Sequence, residues 1–74
     1  MSNILIEFGN NIRRLRTAKK ISQEELAFRS GLHRTYIGMI ERGEKNITLI
    51  NIDKIARGLD IDLKKLFSLW TTTN

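Results

Sequence analysis

Residues Ser22 to Gly43 read SQEELAFRSGLHRTYIGMIERG, two short helical patterns separated by a three-residue break with glycine at its centre. Ser22 has the chemistry of an N-cap, and Glu25 three residues later gives the capping-box spacing. That spacing predicts a helix over Gln23 to Arg29. Ser30-Gly31-Leu32 interrupts it, and a second run from His33 to Arg42 ends at Gly43, a good C-terminal stop. A glycine-centred turn of this length between two short helices is the signature of a helix-turn-helix. The packing chemistry agrees. Ala27 is small enough for the helices to approach closely, and Gly31 supplies the positive φ that a β-carbon penalises. Leu26, Leu32, Ile37 and Ile40 point inward. On a helical wheel of the second run, Tyr36, Ile37 and Ile40 take one side, while Arg34, Thr35, Gly38, Met39 and Arg42 take the other. A helix locked by its apolar side, with a free side that is short and partly basic, is shaped to enter a groove.

Outward from this pair the chain keeps helical periodicity, with no alternating strand pattern of useful length. A first helix is expected over Asn3 to Lys20, with Ile4, Leu5, Phe8, Ile12 and Leu15 on one face and Arg13, Arg16 and Lys20 along its flank. Thr48 reads as the cap of a fourth helix reaching Arg57 or Gly58, with Leu49, Ile52, Ile55, Ala56 and Leu59 inward. Asp62 reads as the cap of a fifth, from Leu63 to about Trp70, and residues 71–74 should fray. The expected architecture is therefore an all-α, compact five-helix domain spanning residues 1–74. Its helix-turn-helix lies at about 23–42, and a dimerisation region at about 47–70.

Length and composition narrow the function classes. Ordering 74 residues at roughly 1.5 kcal/mol each costs about 110 kcal/mol, and burying ~4,500 Å² of apolar area at ~25 cal/mol/Å² gives back about the same. Such a chain needs a staple. With no cysteine and one histidine, neither a disulfide framework nor a metal cluster is available, so oligomerisation is the staple that is left. No glycine-rich phosphate loop, metal-ligand spacing or serine–histidine elbow is present, which argues against an enzyme and against a cofactor or small-molecule ligand. No apolar run is long enough to span a membrane, and no leader pattern opens the chain. A cytoplasmic protein is expected.

The charge is uneven. Nine basic residues lie between Arg13 and Lys45 against four acids (Glu24, Glu25, Glu41 and Glu44), so the whole net charge of +5 sits in that stretch. An excess confined to the helix-turn-helix and its flanks suits a polyanion, although solvated helix faces also collect charge.

These residues resemble the phage-repressor (Cro/CI-like, Xre) helix-turn-helix family, over nearly the whole chain. The pattern runs through Ser22-Gln23-Glu24-Glu25-Leu26-Ala27, Ser30-Gly31-Leu32 and Ile37 to Gly43. Ser30 departs from it, standing where the family commonly has a small or apolar residue. Arg34-Thr35-Tyr36-Ile37, Ile40-Glu41-Arg42-Gly43 and Lys45-Asn46-Ile47-Thr48 are similar, more narrowly, to the controller proteins of restriction–modification systems. So is so short a chain, with no ligand or protease domain attached. The resemblance implies a homodimer, one or two per operator, bound to an inverted repeat in duplex DNA near a promoter. It implies activation of its own operon and the endonuclease gene at low occupancy and repression at high occupancy, so that the methyltransferase acts first. It also implies that the third helix docks in the major groove.

Within that frame Arg34, Thr35, Gly38 and Met39 are the expected base-reading positions. Arginine takes guanine O6 and N7 bidentately, and a threonine methyl meets a thymine methyl. Arg16, Gln23, Tyr36, Arg42, Lys45 and Asn46 are the expected phosphate contacts, four of them with a local alternative: an exposed charge for Arg16, a cap for Gln23, a carboxylate partner for Arg42, a structural ring for Tyr36. His33 is expected to cap or pack, and Glu41 to pair with Arg42 or Lys45. Arg14 points away from the DNA side. The surplus apolar residues Ile47, Ile50, Leu63, Leu66, Phe67 and Trp70 are the expected dimer interface. A different class remains open: an antitoxin or phage-type repressor whose main role is to sequester or regulate a protein partner.

Overall fold

The structure, a computed structural model, describes residues 3–68. Five helices follow one another along them: α1 (Ile4–Ala18), α2 (Gln23–Ser30), α3 (Arg34–Glu41), α4 (Leu49–Leu59) and α5 (Leu63–Leu66). No strand forms among the described residues. The first four starts have a local cause. Asn3 accepts from the amides of Leu5 and Ile6, Ser22 from Glu25, His33 from Thr35 and Thr48 from Asn51. These side chains satisfy amides that have no partner within the first turn. Two expectations are corrected here. Glu25 turns away from the reciprocal half of a capping box to pair with Arg29 at 2.7 Å, and Asp62 holds the N-cap position of α5 without a capping bond.

The ends of α1 to α4 share one device. Gly31 and Gly43 adopt φ of 69° and 74°, and Lys20 and Asp60 adopt 59° and 57°. In each case the next amide reaches back to a carbonyl of the preceding helix, as in Leu32 to Ala27, Glu44 to Met39, Ile21 to Arg16 and Ile61 to Ala56. These are Schellman closures. Two sit on glycine; Lys20 and Asp60 hold the same left-handed backbone with side chains that disfavour it.

The core gathers Phe8, Ile12 and Leu15 of α1, Leu26 and Ala27 of α2, and Ile37 and Ile40 of α3. Ile52, Ile55, Ala56 and Leu59 of α4 complete it with Leu66 of α5. α2 lies along α4, and Gly58 is the reason it can. A β-carbon there would stand 2.3 Å from the Ser30 hydroxyl oxygen. Gly58 is thus a close-approach residue inside α4 and not its end, and the helix runs on to Leu59. Three further expectations change. Ile4 and Leu49 were assigned inward but are largely exposed, Leu49 at 70%; each opens its helix, in the first turn, beyond the packed residues. Leu66 is completely buried within the protomer, so it belongs to the core and offers nothing to a partner. α5 stops at Leu66, with Phe67 as its C-cap; Trp70 and residues 71–74, for which fraying was expected, lie outside the described residues.

Candidate nucleic-acid interface

α3 is held by three layers of contact before any ligand is considered. Ile37 and Ile40 anchor it in the core. Tyr36, half-buried against that core, accepts through its hydroxyl a 3.0 Å hydrogen bond from Asn51 Nδ2 of α4. At the far end Glu41 is buried, and its carboxylate takes Arg16 Nε at 2.6 Å, Arg16 Nη2 at 3.0 Å and Gln23 Nε2 at 3.0 Å. Arg16 Nη1 donates in addition to the Ile21 carbonyl at 2.9 Å. One carboxylate thereby joins α1, α2 and α3, and every guanidinium nitrogen of Arg16 is used. A buried charge costs little only when it is paired and hydrogen-bonded in this way.

This clamp corrects two assignments. Arg16 was expected to reach a phosphate, yet its side chain is 11% exposed and spent on Glu41. Glu41 was expected to meet Arg42 or Lys45, and meets Arg16 instead because it follows Ile37 by four residues and shares the inward face. A charged residue on an apolar face requires a buried partner. Asking for one would have led to Arg16 on the flank of α1. Asn51, invisible to motif reading, is the second missed residue.

The outward face of α3 carries Arg34 and Thr35, both exposed, with Met39 half-buried beside them. Gly38 does not share it. It is buried, and a β-carbon on it would lie 3.2 Å from Arg42 Nη1 and 3.6 Å from Gln23 Oε1. Gly38 leaves a notch over which Arg42 and Gln23 converge, so it shapes the surface from beneath. Arg42 bonds Glu44 at 3.0 Å, both side chains being more than half exposed. The hydrogen bond to Arg42 holds the Glu44 carboxyl below the ordinary carboxylate range and raises the Arg42 guanidinium. Lys45 and Asn46 follow, exposed, in the connection to α4. The structure thus brings Arg34, Thr35, Met39, Gln23, Arg42, Lys45 and Asn46 around one helix, while Arg16 is drawn into the Glu41 clamp and Gly38 lies beneath Arg42 and Gln23.

On the other expected surface, Ile50 is 71% exposed with Leu49 beside it at the start of α4, and Phe67 is half-exposed at the end of α5. Ile47 and Leu63 are partly buried against the core. No group of three or more histidine or acidic side chains fit to hold a metal forms among the described residues. No helix among them is long and apolar enough to cross a membrane.

Two short helices closed by a left-handed glycine, the second presenting a basic and polar face, define a helix-turn-helix protein. The helix-turn-helix family model matches residues 12–66. The chain is 46% identical over 74 residues to control protein C.BamHI of Bacillus amyloliquefaciens, covering 99% of this chain and 91% of that one. It is 46% identical over 69 residues to control protein C.MunI of a Mycoplasma species, covering 92% and 93%. The crystal structure of the restriction–modification controller protein C.AhdI from Aeromonas hydrophila superposes with a TM-score of 0.87 at 53% identity, over 89% of this chain and all of that one. The chain belongs to the helix-turn-helix family, in its branch of restriction–modification controller proteins.

Proposed function

We propose that the chain is a cytoplasmic transcription regulator that binds an inverted-repeat operator in duplex DNA as a homodimer. It activates its own operon at low occupancy and represses it at high occupancy. α3 enters the major groove, where Arg34, Thr35 and Met39 face the base edges. Gln23 at the start of α2, the Tyr36 hydroxyl hydrogen, Lys45, Asn46 and Arg42, once released from Glu44, meet phosphates on either side. The dimer forms through Ile50 and Leu49 of α4 and Phe67 of α5, with Ile47 and Leu63 at its edge.

The observation that carries this reading is the contrast between the two sides of α3. The inner side is fixed by Ile37, Ile40 and the Glu41 clamp, and the outer side offers exposed Arg34 and Thr35 with no internal partner for either side chain among the described residues. A rigid helix with free donors is preorganised for readout. Nuclease protection on the DNA upstream of its own gene should show a symmetric footprint over an inverted repeat. Equal affinity for a scrambled duplex, or purification with a stoichiometric protein partner, would count against it.

A further inference from the structure

Asn11 is a buried polar side chain that DNA binding does not use. It sits in the middle of α1, yet its Nδ2 donates to the carbonyl of Leu66 at 2.9 Å and to that of Lys65 at 3.3 Å. Its Oδ1 accepts from Arg14 Nη2, one turn further along α1. The amide can take only one orientation here, because carbonyls only accept and a guanidinium only donates. α5 is four residues long, and its last carbonyls have no helical continuation to bond. The Leu66 carbonyl receives its hydrogen bond from Asn11. One turn earlier on α1, Phe8 packs against Phe67 with ring centroids 5.4 Å apart. Phe8, Asn11 and Arg14 thus form a ladder along one side of α1 that grips the end of α5. Arg14, the base that the wheel sets away from the DNA, holds the ladder's amide in place.

We propose that Asn11, oriented by Arg14, is a positioning residue for the dimer face: it fixes where the chain leaves α5 and so where Phe67 is presented. This rests on the dimer reading above. Without the Asn11 bonds only side-chain packing by Leu63, Leu66 and Phe67 would hold α5, which leaves the direction of its backbone less fixed. An isologous interface needs its apolar side chains in register on both copies.

Asn11→Asp tests it, since the carboxylate keeps Arg14 but cannot donate to the two carbonyls. Arg14→Ala is the companion variant, at an exposed position. Three measurements on the full chain are compared with the unmodified protein. Sedimentation should show Asn11→Asp dissociating at least tenfold more readily, and Arg14→Ala severalfold. Affinity for a palindromic operator should fall in step, while affinity for a duplex carrying a single half-site stays within about twofold. Amide exchange at Phe67 and Ser68, whose N–H groups bond Lys64 and Lys65, should quicken by about tenfold with the helices α1–α4 unaffected. Unchanged exchange and dissociation in Asn11→Asp would overturn the proposal. Equal loss on both duplexes would overturn it too, reducing Asn11 to a general stabiliser. A monomeric unmodified protein at tens of micromolar would remove the dimer reading itself, and exchange at Phe67 and Ser68 would still report whether the grip exists.

Discussion

Arg16 and Glu41 meet in a two-pronged ion pair across α1 and α3, at 2.6 and 3.0 Å, with the carboxylate side chain only 2% exposed. Removing one member leaves the other charged, buried and unpaired, which typically costs about 3–5 kcal/mol. Glu41→Ala and Arg16→Ala should each lower stability by that order, measured by urea unfolding. The double variant Arg16→Met with Glu41→Leu should recover much of the loss. The same experiment tests the correction to Arg16. If Arg16→Ala leaves stability intact and instead lowers the salt dependence of DNA binding, the pair is not what holds it.

Ser30 and Gly58 are a second coupled pair, on α2 and α4. The Ser30 hydroxyl is buried with no hydrogen-bond partner among the described residues, and burying such a group unsatisfied costs about 1–3 kcal/mol. Ser30→Ala should therefore raise stability by about 1 kcal/mol, read as a higher thermal midpoint. Gly58→Ala should do the opposite by 2 kcal/mol or more, on the order of an overpacked core, because its new methyl meets Ser30 Oγ and lies 3.2 Å from Leu26 Cδ1. Combining the two should cost less than Gly58→Ala alone.

What the sequence made legible followed from local rules. Ser22, Gly31 and Thr48 marked helix boundaries that the structure keeps, because a cap or a left-handed turn is chemistry within a few residues. The apolar stripe of α2 and α3 likewise placed Leu26, Ile37 and Ile40 correctly. The failures came where a distant element decided the matter. The fourth helix was expected to reach Arg57 or Gly58, and the close approach that requires Gly58 appeared only once α2 was seen against it. Leu66 looked like surplus surface until α1 and α4 enclosed it. Arg16 looked like a free flank because its partner lies 25 residues away. In the recognition surface the type of residue was readable and its availability was not: Arg34 and Thr35 stay free, while Gly38 is covered.

Ile50 tests the dimer face with little risk to the fold, since its side chain stands in solvent within the protomer. Ile50→Glu should change protomer stability by no more than about 0.5 kcal/mol. Apposed charges across a two-fold axis should still raise the dimer dissociation constant by tenfold or more in equilibrium sedimentation. Operator affinity should drop with it. Dimerisation unchanged by Ile50→Glu would move the interface off the start of α4.

Glu44 holds Arg42 at 3.0 Å, so on the proposed reading it would compete with DNA for that guanidinium. Its carboxyl is held below the ordinary range by the hydrogen bond from Arg42, so the pair forms fully above the unfolded carboxylate pKa of about 4.3. It is lost as pH falls through the lower folded value. A chemical-shift titration of Glu44 should give a midpoint below about 4.3. Glu44→Gln should free Arg42 at neutral pH, strengthen DNA binding severalfold and steepen its salt dependence by about one phosphate per protomer. An unchanged salt slope would mean that Arg42 does not reach the backbone.

Arg34 and Lys45 separate readout from positioning. Arg34 is exposed at the first residue of α3, where a guanidinium can bridge guanine O6 and N7. Lys45 lies in the connection after α3 and offers a point charge, which suits phosphate and carries no base preference. Arg34→Ala should cost about 1–3 kcal/mol per half-site on the operator and far less on scrambled DNA, so discrimination collapses. Lys45→Ala should weaken both duplexes alike and reduce the salt slope by about one per half-site. Binding isotherms for both variants at several salt concentrations, on operator and scrambled duplexes, distinguish the two roles. If Arg34→Ala weakens both duplexes equally, α3 does not read bases through its first turn, and its docking in the major groove must be redrawn around Thr35 and Met39.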